Sequence, residues 1–433
     1  MFDGLKHKAY IILKKSEKYT KTDMVYLAKG GFWLFAGQVS ASAIGLVASL
    51  FFANLLLPST FGTYRYILAL GEILTVFSLS GLDLAIVTAV ARGFGGVLRS
   101  AFRLNLKWSS LTLAVAWGAS FYYYYRGNET ISLGLLALGI VMPFITSANL
   151  YGAFLEGKKD FKKRTTYEVA NNLIRTTVLI VALFFTKNPA ILAAAYLGTH
   201  AIVAMISYKR IVRTFNLATE NHAPAIRFGK HLSIINVITT IGEHIDKVLI
   251  FQHIGAVELA VYNFAAIVPD QGRNILKKII TLALPKLADK NSAQLKTTVY
   301  KKLLVSMIFL IPATLLYIAI APYIYRFLFP QYLNSVPLSQ FFALTFLLYG
   351  NLGNTALVAK NAVKEKYIVE ITVAVTRVIL MLLLIAPYGL WGIVISKVGT
   401  KYLGNLIVLY FIKKDGGSSP PTEKIERSVE IKS

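Results

Sequence analysis

Twelve times along this chain an apolar stretch recurs that is long enough to cross a bilayer, for which a helix needs about 20 residues. The stretches lie near 31–57, 63–89, 102–124, 131–155, 167–185, 190–208, 231–251, 259–284, 299–321, 337–358, 368–387 and 390–412. In hydrocarbon every backbone N–H and C=O must find its partner inside the chain, so such segments fold as helices. The expected class is therefore an all-α polytopic membrane protein. Composition agrees: of 433 residues 55% are hydrophobic and 15% charged, and the mean hydropathy is +0.57.

The charge is strongly unbalanced, with 46 Lys and Arg against 21 Asp and Glu. In a soluble protein a net +25 suggests nucleic acid, but here its position along the chain explains it. Lys and Arg of short loops favour the cytoplasmic side. The leading segment is Lys-rich, and "NLLLPSTFG" after the first stretch has no basic residue. Arg92, Arg99, Arg103 and Lys107 follow the second stretch, "EGKKDFKKR" the fourth and "YKRIVRTF" the sixth. Lys277, Lys278, Lys286, Lys290 and Lys296 follow the eighth, Lys360, Lys364 and Lys366 the tenth, Lys413 and Lys414 the twelfth. Basic and non-basic connections thus alternate, which predicts about twelve spans in the cytoplasmic membrane with both termini cytoplasmic. Contact with anionic lipid headgroups accounts for the cations, and nucleic acid is not an expected partner. "FYYYYRG" (121–127) fits an outer aromatic belt.

Sliding the chain along itself by about 200 residues reveals a repeat. "FGTYRYILAL" (61–70) aligns with "LAVYNFAAIV" (259–268), pairing Tyr64 with Tyr262. "LEGKKDFKKRTTYEVANNLIR" (155–175) aligns without gaps with "LVAKNAVKEKYIVEITVAVTR" (357–377), pairing Glu168 with Glu370 and Arg175 with Arg377. Two six-helix lobes follow, 24–213 and 224–414, joined by a cytoplasmic linker at 214–223. Residues 1–23 read as a Lys-rich interfacial segment and 415–433 as a disordered cytoplasmic tail. Copies six helices apart share one orientation, so the implied axis runs along the membrane normal, as in alternating-access transporters.

Ionisable groups at a helix centre cost about 2.5 to 3.5 kcal/mol on insertion scales and so mark cavities or pairings. Glu72 lies well inside the second stretch; Asp83, eleven residues on, falls on the same face of a continuous helix. Arg175 and Arg377 stand at equivalent depths in the fifth and eleventh stretches and are expected in the cavity. In "VPDQGRNILKKIITLALPK", Asp270, Gln271, Arg273 and Asn274 follow Pro269, where a bend or break is expected. Asp270, Arg273, Lys277 and Thr281 form one polar stripe. In "GEHIDKVLIF" (242–251) Glu243 can pair with Lys247 one turn on, and His244 points elsewhere.

Other chemistry is absent. There is no Cys, no GxxxxGK[ST] loop and no HExxH, so thiolate chemistry, ATP hydrolysis and a dedicated metal site are not expected, and no cofactor is called for. No apolar run followed by a small-residue cleavage site opens the chain, so no cleavable signal peptide is expected. The connections are short, and no soluble domain is expected to house a catalytic site.

"LLPSTFGTYRYILAL", "SGLDLAIVTAVAR", "HIDKVLIFQHIGAVELAVYNFAAIV" and "LALPKLAD" together resemble the Wzx-type oligosaccharide flippases of polysaccharide biosynthesis, in the multidrug/oligosaccharidyl-lipid/polysaccharide exporter superfamily. The resemblance runs from about residue 24 to 412. It implies a MATE/MOP-like pair of lobes around a cationic cavity, carrying a polyprenyl-diphosphate-linked glycan between leaflets. Glycosyltransferases or a polymerase of the same pathway are the implied partners, besides membrane lipids. On that reading Arg175, Arg273, Lys277, Arg377 and Asn274 would contact diphosphate or sugars, Arg being suited to bidentate phosphate contacts. Glu72, Asp83, Asp246, Lys247 and Asp270 would be counter-ions or coupling sites. Whether Asp246 and Lys247 satisfy each other or face the cavity stays open. The related lipid II flippases have two further C-terminal helices, which lowers that reading. A cation-coupled exporter of drugs or small molecules and a membrane enzyme of glycan assembly are the alternatives.

Overall fold

Each place where the chain turns back is written in residues that end one helix and start the next. The computed structural model describes residues 24–217, 222–281, 292–350, 353, 356–357 and 362–414. The expected interfacial segment, the tail and part of the linker lie outside these residues. The helices are α1 (Met24–Leu55), α2 (Pro58–Leu74), α3 (Leu82–Ala91), α4 (Val97–Tyr125), α5 (Glu129–Ala148), α6 (Leu150–Gly157), α7 (Phe161–Phe185) and α8 (Pro189–Thr214). They continue as α9 (Ala223–His253), α10 (Ala256–Thr281), α11 (Ser292–Leu328), α12 (Val336–Ala343) and α13 (Val363–Lys414). No strand occurs among the described residues.

Pro58 and Pro189 open α2 and α8, positions where a missing N–H costs nothing. Asn128, Asp160 and Asn188 cap α5, α7 and α8, each side chain accepting from backbone N–H groups of the first turn. Six helices are long and apolar enough to cross a membrane, and α2 with α3 makes a seventh, bent by 58°. The last of the six, α13, is two spans: at Gly389 (φ 52°, ψ −127°) the chain reverses, so that Leu384 lies against Gly392. With α5 and α6 joined into one rod and α12 continuing through residues 344–350, the helices make twelve rods in the expected order. The chain is an all-α, multi-pass membrane protein. Apolar side chains such as Phe185, Phe309 and Phe327 stand exposed on its outside, where lipid tails are the natural solvent.

The halves meet along α2, which packs against both α9 and α10, while α3 packs on α9 and α1 on α10. Small residues permit the approach. A Cβ on Gly62 would fall 1.7 Å from the Ala256 carbonyl oxygen, and one on Gly81 2.4 Å from that of Gly229. Aromatic rings close the same seam: Tyr66 stacks on Phe251 at 3.9 Å, and Gln252 donates to the hydroxyls of Tyr66 and Tyr123, both at 2.6 Å.

Two expectations of local structure change. Pro269 does not break its helix, and α10 runs continuously through it. Proline removes the N–H that would bond the Ala265 carbonyl. The hydroxyl of Tyr325 in α11 stands in, donating to Phe264 O at 2.7 Å with Ala265 O at 3.5 Å. Conversely, no proline lies between Leu74 and Leu82, yet the chain bends there, so Glu72 and Asp83 do not share a face.

Candidate functional site

A cavity of about 390 Å³ lies between the halves, lined by α1, α2, α7, α8, α9, α10 and the second arm of α13. Its wall carries the cations Arg65, Lys247, Arg273 and Lys397, against the carboxylates Glu243 and Asp270. His244, Asn263 and the rings of Tyr64 and Tyr262 complete the polar lining. Tyr64 and Tyr262, aligned by the sequence repeat, thus face the same space. The next pair in that alignment, Arg65 and Asn263, touch: Arg65 Nε donates to Asn263 Oδ1 at 2.9 Å. Equivalent positions that meet each other lie at a two-fold axis, so α2 and α10 bracket the pseudo-axis of the molecule.

The "GEHIDKVLIF" side chains do not pair within their helix. Lys247 Nζ donates to Glu72 Oε2 across the seam at 2.5 Å, and His244 Nδ1 lies 2.7 Å from the same oxygen. Glu243 instead accepts from Arg377 Nη1 at 2.8 Å. Asp246 is fully buried and is bound by Lys397 Nζ and the Tyr262 hydroxyl, with the Lys247 backbone N–H at 2.8 Å. Lys397 Nζ also donates to Tyr262 at 2.9 Å. Asp246 and Lys247 therefore satisfy other partners rather than each other, His244 takes part in the seam, and the expected Glu243–Lys247 pair is replaced by two inter-helix pairs.

The repeat-related arginines also differ from expectation. Arg377 is 3% exposed and sits behind Glu243, with Gly242 O at 3.1 Å and Thr400 Oγ1 at 3.3 Å; it does not line the cavity. Arg175 belongs to a second cavity, of about 600 Å³, formed within the N-terminal half by α1, α3, α5, α6, α7 and α8. There it donates to Asn172 Oδ1 from Nε at 3.2 Å and Nη2 at 3.1 Å, lies 3.1 Å from His200 Nδ1 and stands over the Tyr196 ring. Asp83 lines this second cavity too. Arg273 and Asp270 line the central one, 3.2 Å apart. Asn274 is half-buried and lines neither. The side chain of Lys277 lies outside the described residues.

Sequence reading passed over Arg65, Asn263, Lys397, Arg164 and His200. Lys397 carried a readable signal, being a cation in the middle of the last apolar stretch.

Residues 51–337 match the family described as polysaccharide biosynthesis protein. The chain belongs to that family. No curated protein matches it. Solved structures resemble this family member in fold. A multidrug resistance MATE family transporter of the MOP superfamily, inward-facing, superposes with a TM-score of 0.68 at 12% identity, over 87% of this chain and 94% of its own. The lipid II flippase MurJ, inward closed, gives 0.66 at 15% identity, over 88% and 87%. A MOP superfamily transporter from Pyrococcus furiosus described by the reverse polarity of its binding pocket gives 0.60 at 11%, over 91% and 97%. At these identities the likeness establishes the MOP-type fold of two six-helix lobes.

Proposed function

We propose that this protein is a flippase that carries a polyprenyl-diphosphate-linked oligosaccharide across the cytoplasmic membrane for cell-surface polysaccharide assembly. The observation that carries the reading is the central wall, in which four cations face two carboxylates between the halves. A diphosphate brings negative charge to a mid-bilayer site, where each charge-assisted hydrogen bond is worth more than in water. The lipid tail stays in the bilayer while the headgroup occupies the cavity. The halves 24–213 and 224–414 move as lobes, both termini face the cytoplasm, and glycosyltransferases or a polymerase of the same pathway supply and consume the cargo. The family match and the MOP-type fold support this reading. A cationic wall disfavours cationic drugs.

The test is reconstitution in liposomes with a fluorescent polyprenyl-diphosphate glycan, measuring its appearance in the outer leaflet. Arg65→Ala combined with Arg273→Ala removes two charged donors, each worth about 1.5 to 3 kcal/mol. Appearance is expected to slow by more than tenfold. An unchanged rate, or wild-type liposomes no faster than empty ones, refutes the function.

A further inference from the structure

The cavity inside the N-terminal half is larger than the one between the halves and has a different chemistry. Its 600 Å³ lies within the roughly 300 to 1,000 Å³ of small-molecule sites. Three carboxylates, Asp83, Glu156 and Glu168, line it with two guanidinium groups, Arg164 and Arg175. Arg164 is taken up by Glu156 and Glu168, the latter at 2.8 Å. That leaves Asp83, whose carboxylate is exposed to the cavity and has no hydrogen-bond donor among the described residues. Asn171, 5% exposed and lining the same space, has a buried Oδ1 with no partner at all. A buried polar atom left unpaired costs free energy and calls for an explanation.

We propose that this cavity is the glycan subsite, taking one or two neutral or amino-substituted sugar rings while the diphosphate lies against the central cations. The proposal rests on the flippase reading. A sugar hydroxyl donates and accepts at once, so it can donate to Asp83 and Asn171 and accept from Arg175. Asn172 lines both cavities and holds the Arg175 guanidinium, so the two spaces adjoin at that residue. A metal cation fits this lining poorly. Such an ion needs about six or more oxygens converging at roughly 2.3 to 2.6 Å, whereas here two guanidinium groups share a wide space. A sugar bearing a carboxylate is disfavoured by Asp83, which no cation neutralises directly.

Two probes separate the subsite from the lipid site: a polyprenyl diphosphate with no sugar, and the same lipid carrying an N-acetylhexosamine disaccharide. Asp83→Ala and Asn171→Leu are expected each to weaken binding of the glycosylated lipid by about tenfold and to leave the bare lipid unchanged, which also certifies the fold of each variant. A variant that loses both lipids alike, or neither, overturns the assignment; arrested transport with both affinities intact would make the cavity a coupling-ion site instead. The free disaccharide, titrated against the wild-type protein by ligand-observed NMR, reads the subsite without the lipid. If it binds and neither lipid does, the flippase reading fails and the subsite stands.

Discussion

Replacing Lys397 by Met isolates the most deeply placed charge pair in the protein. Asp246 is 0% exposed, whereas the Lys397 side chain is 15% exposed and lines the central cavity. The partners are therefore unequal. Without Lys397, Asp246 keeps the Tyr262 hydroxyl and one backbone N–H, but its charge has lost its bound counter-ion in a sealed place. Removing one member of a buried pair costs about 3 to 5 kcal/mol. Partial relief from the remaining donors puts Lys397→Met near the lower bound. Asp246→Asn strands a lysine that can turn into the cavity, so its cost falls to about 1 to 2 kcal/mol, closer to that of a membrane hydrogen bond. The double variant leaves no charge uncompensated and should return to within about 1 kcal/mol of wild type. Equilibrium unfolding in mixed detergent and SDS micelles measures all three. If the two single variants cost the same, or the double variant costs their sum, the argument from unequal burial is wrong.

Gly62→Val is expected to hold the α2–α10 seam apart, because even a Cβ there meets the Ala256 backbone at 1.7 Å. The chain has no native cysteine, so a Tyr66→Cys, Phe251→Cys pair can be cross-linked on a clean background; the valine should cut its yield severalfold, and an unchanged yield would contradict the close approach. Arg377→Ala leaves Glu243 without its bidentate-capable partner and should destabilise the protein by about 2 to 4 kcal/mol in the same unfolding assay. Arg377→Lys should recover less than half, since one ammonium cannot reach Glu243, Gly242 O and Thr400 together.

Spans and their order were legible because each apolar stretch carries its own signal, and the alternating Lys and Arg needed no knowledge of packing. The pairing of charges was not. Glu72 and Lys247 are 175 residues apart, Asp246 and Lys397 151, and Glu243 and Arg377 134. A linear reading offers only partners one turn away, and so it coupled Glu243 to Lys247. The repeat located Arg175 and Arg377 correctly in depth yet implied one environment for both. In the fold one stands in a cavity with His200 and the other is closed in by Glu243 and Thr400. Pro269 misled for a related reason: the donor that rescues its helix, Tyr325, lies 60 residues from the carbonyl beside it.

The contact between Arg65 and Asn263 has a consequence for how such a chain can exist. Were the two halves identical subunits of a homodimer, the residue nearest the axis would face its own copy, guanidinium against guanidinium or amide against amide. Repulsion forbids the first, and the second places no charge beside the axis. A single polypeptide holding both halves escapes that constraint, since each can mutate alone. Here a permanent cation is anchored by a neutral acceptor beside the axis, one charge where symmetry would demand two or none. Joining the halves is thus more than a tether: it permits a cargo path whose two walls differ, and a headgroup with unlike ends can lie across it in one orientation only.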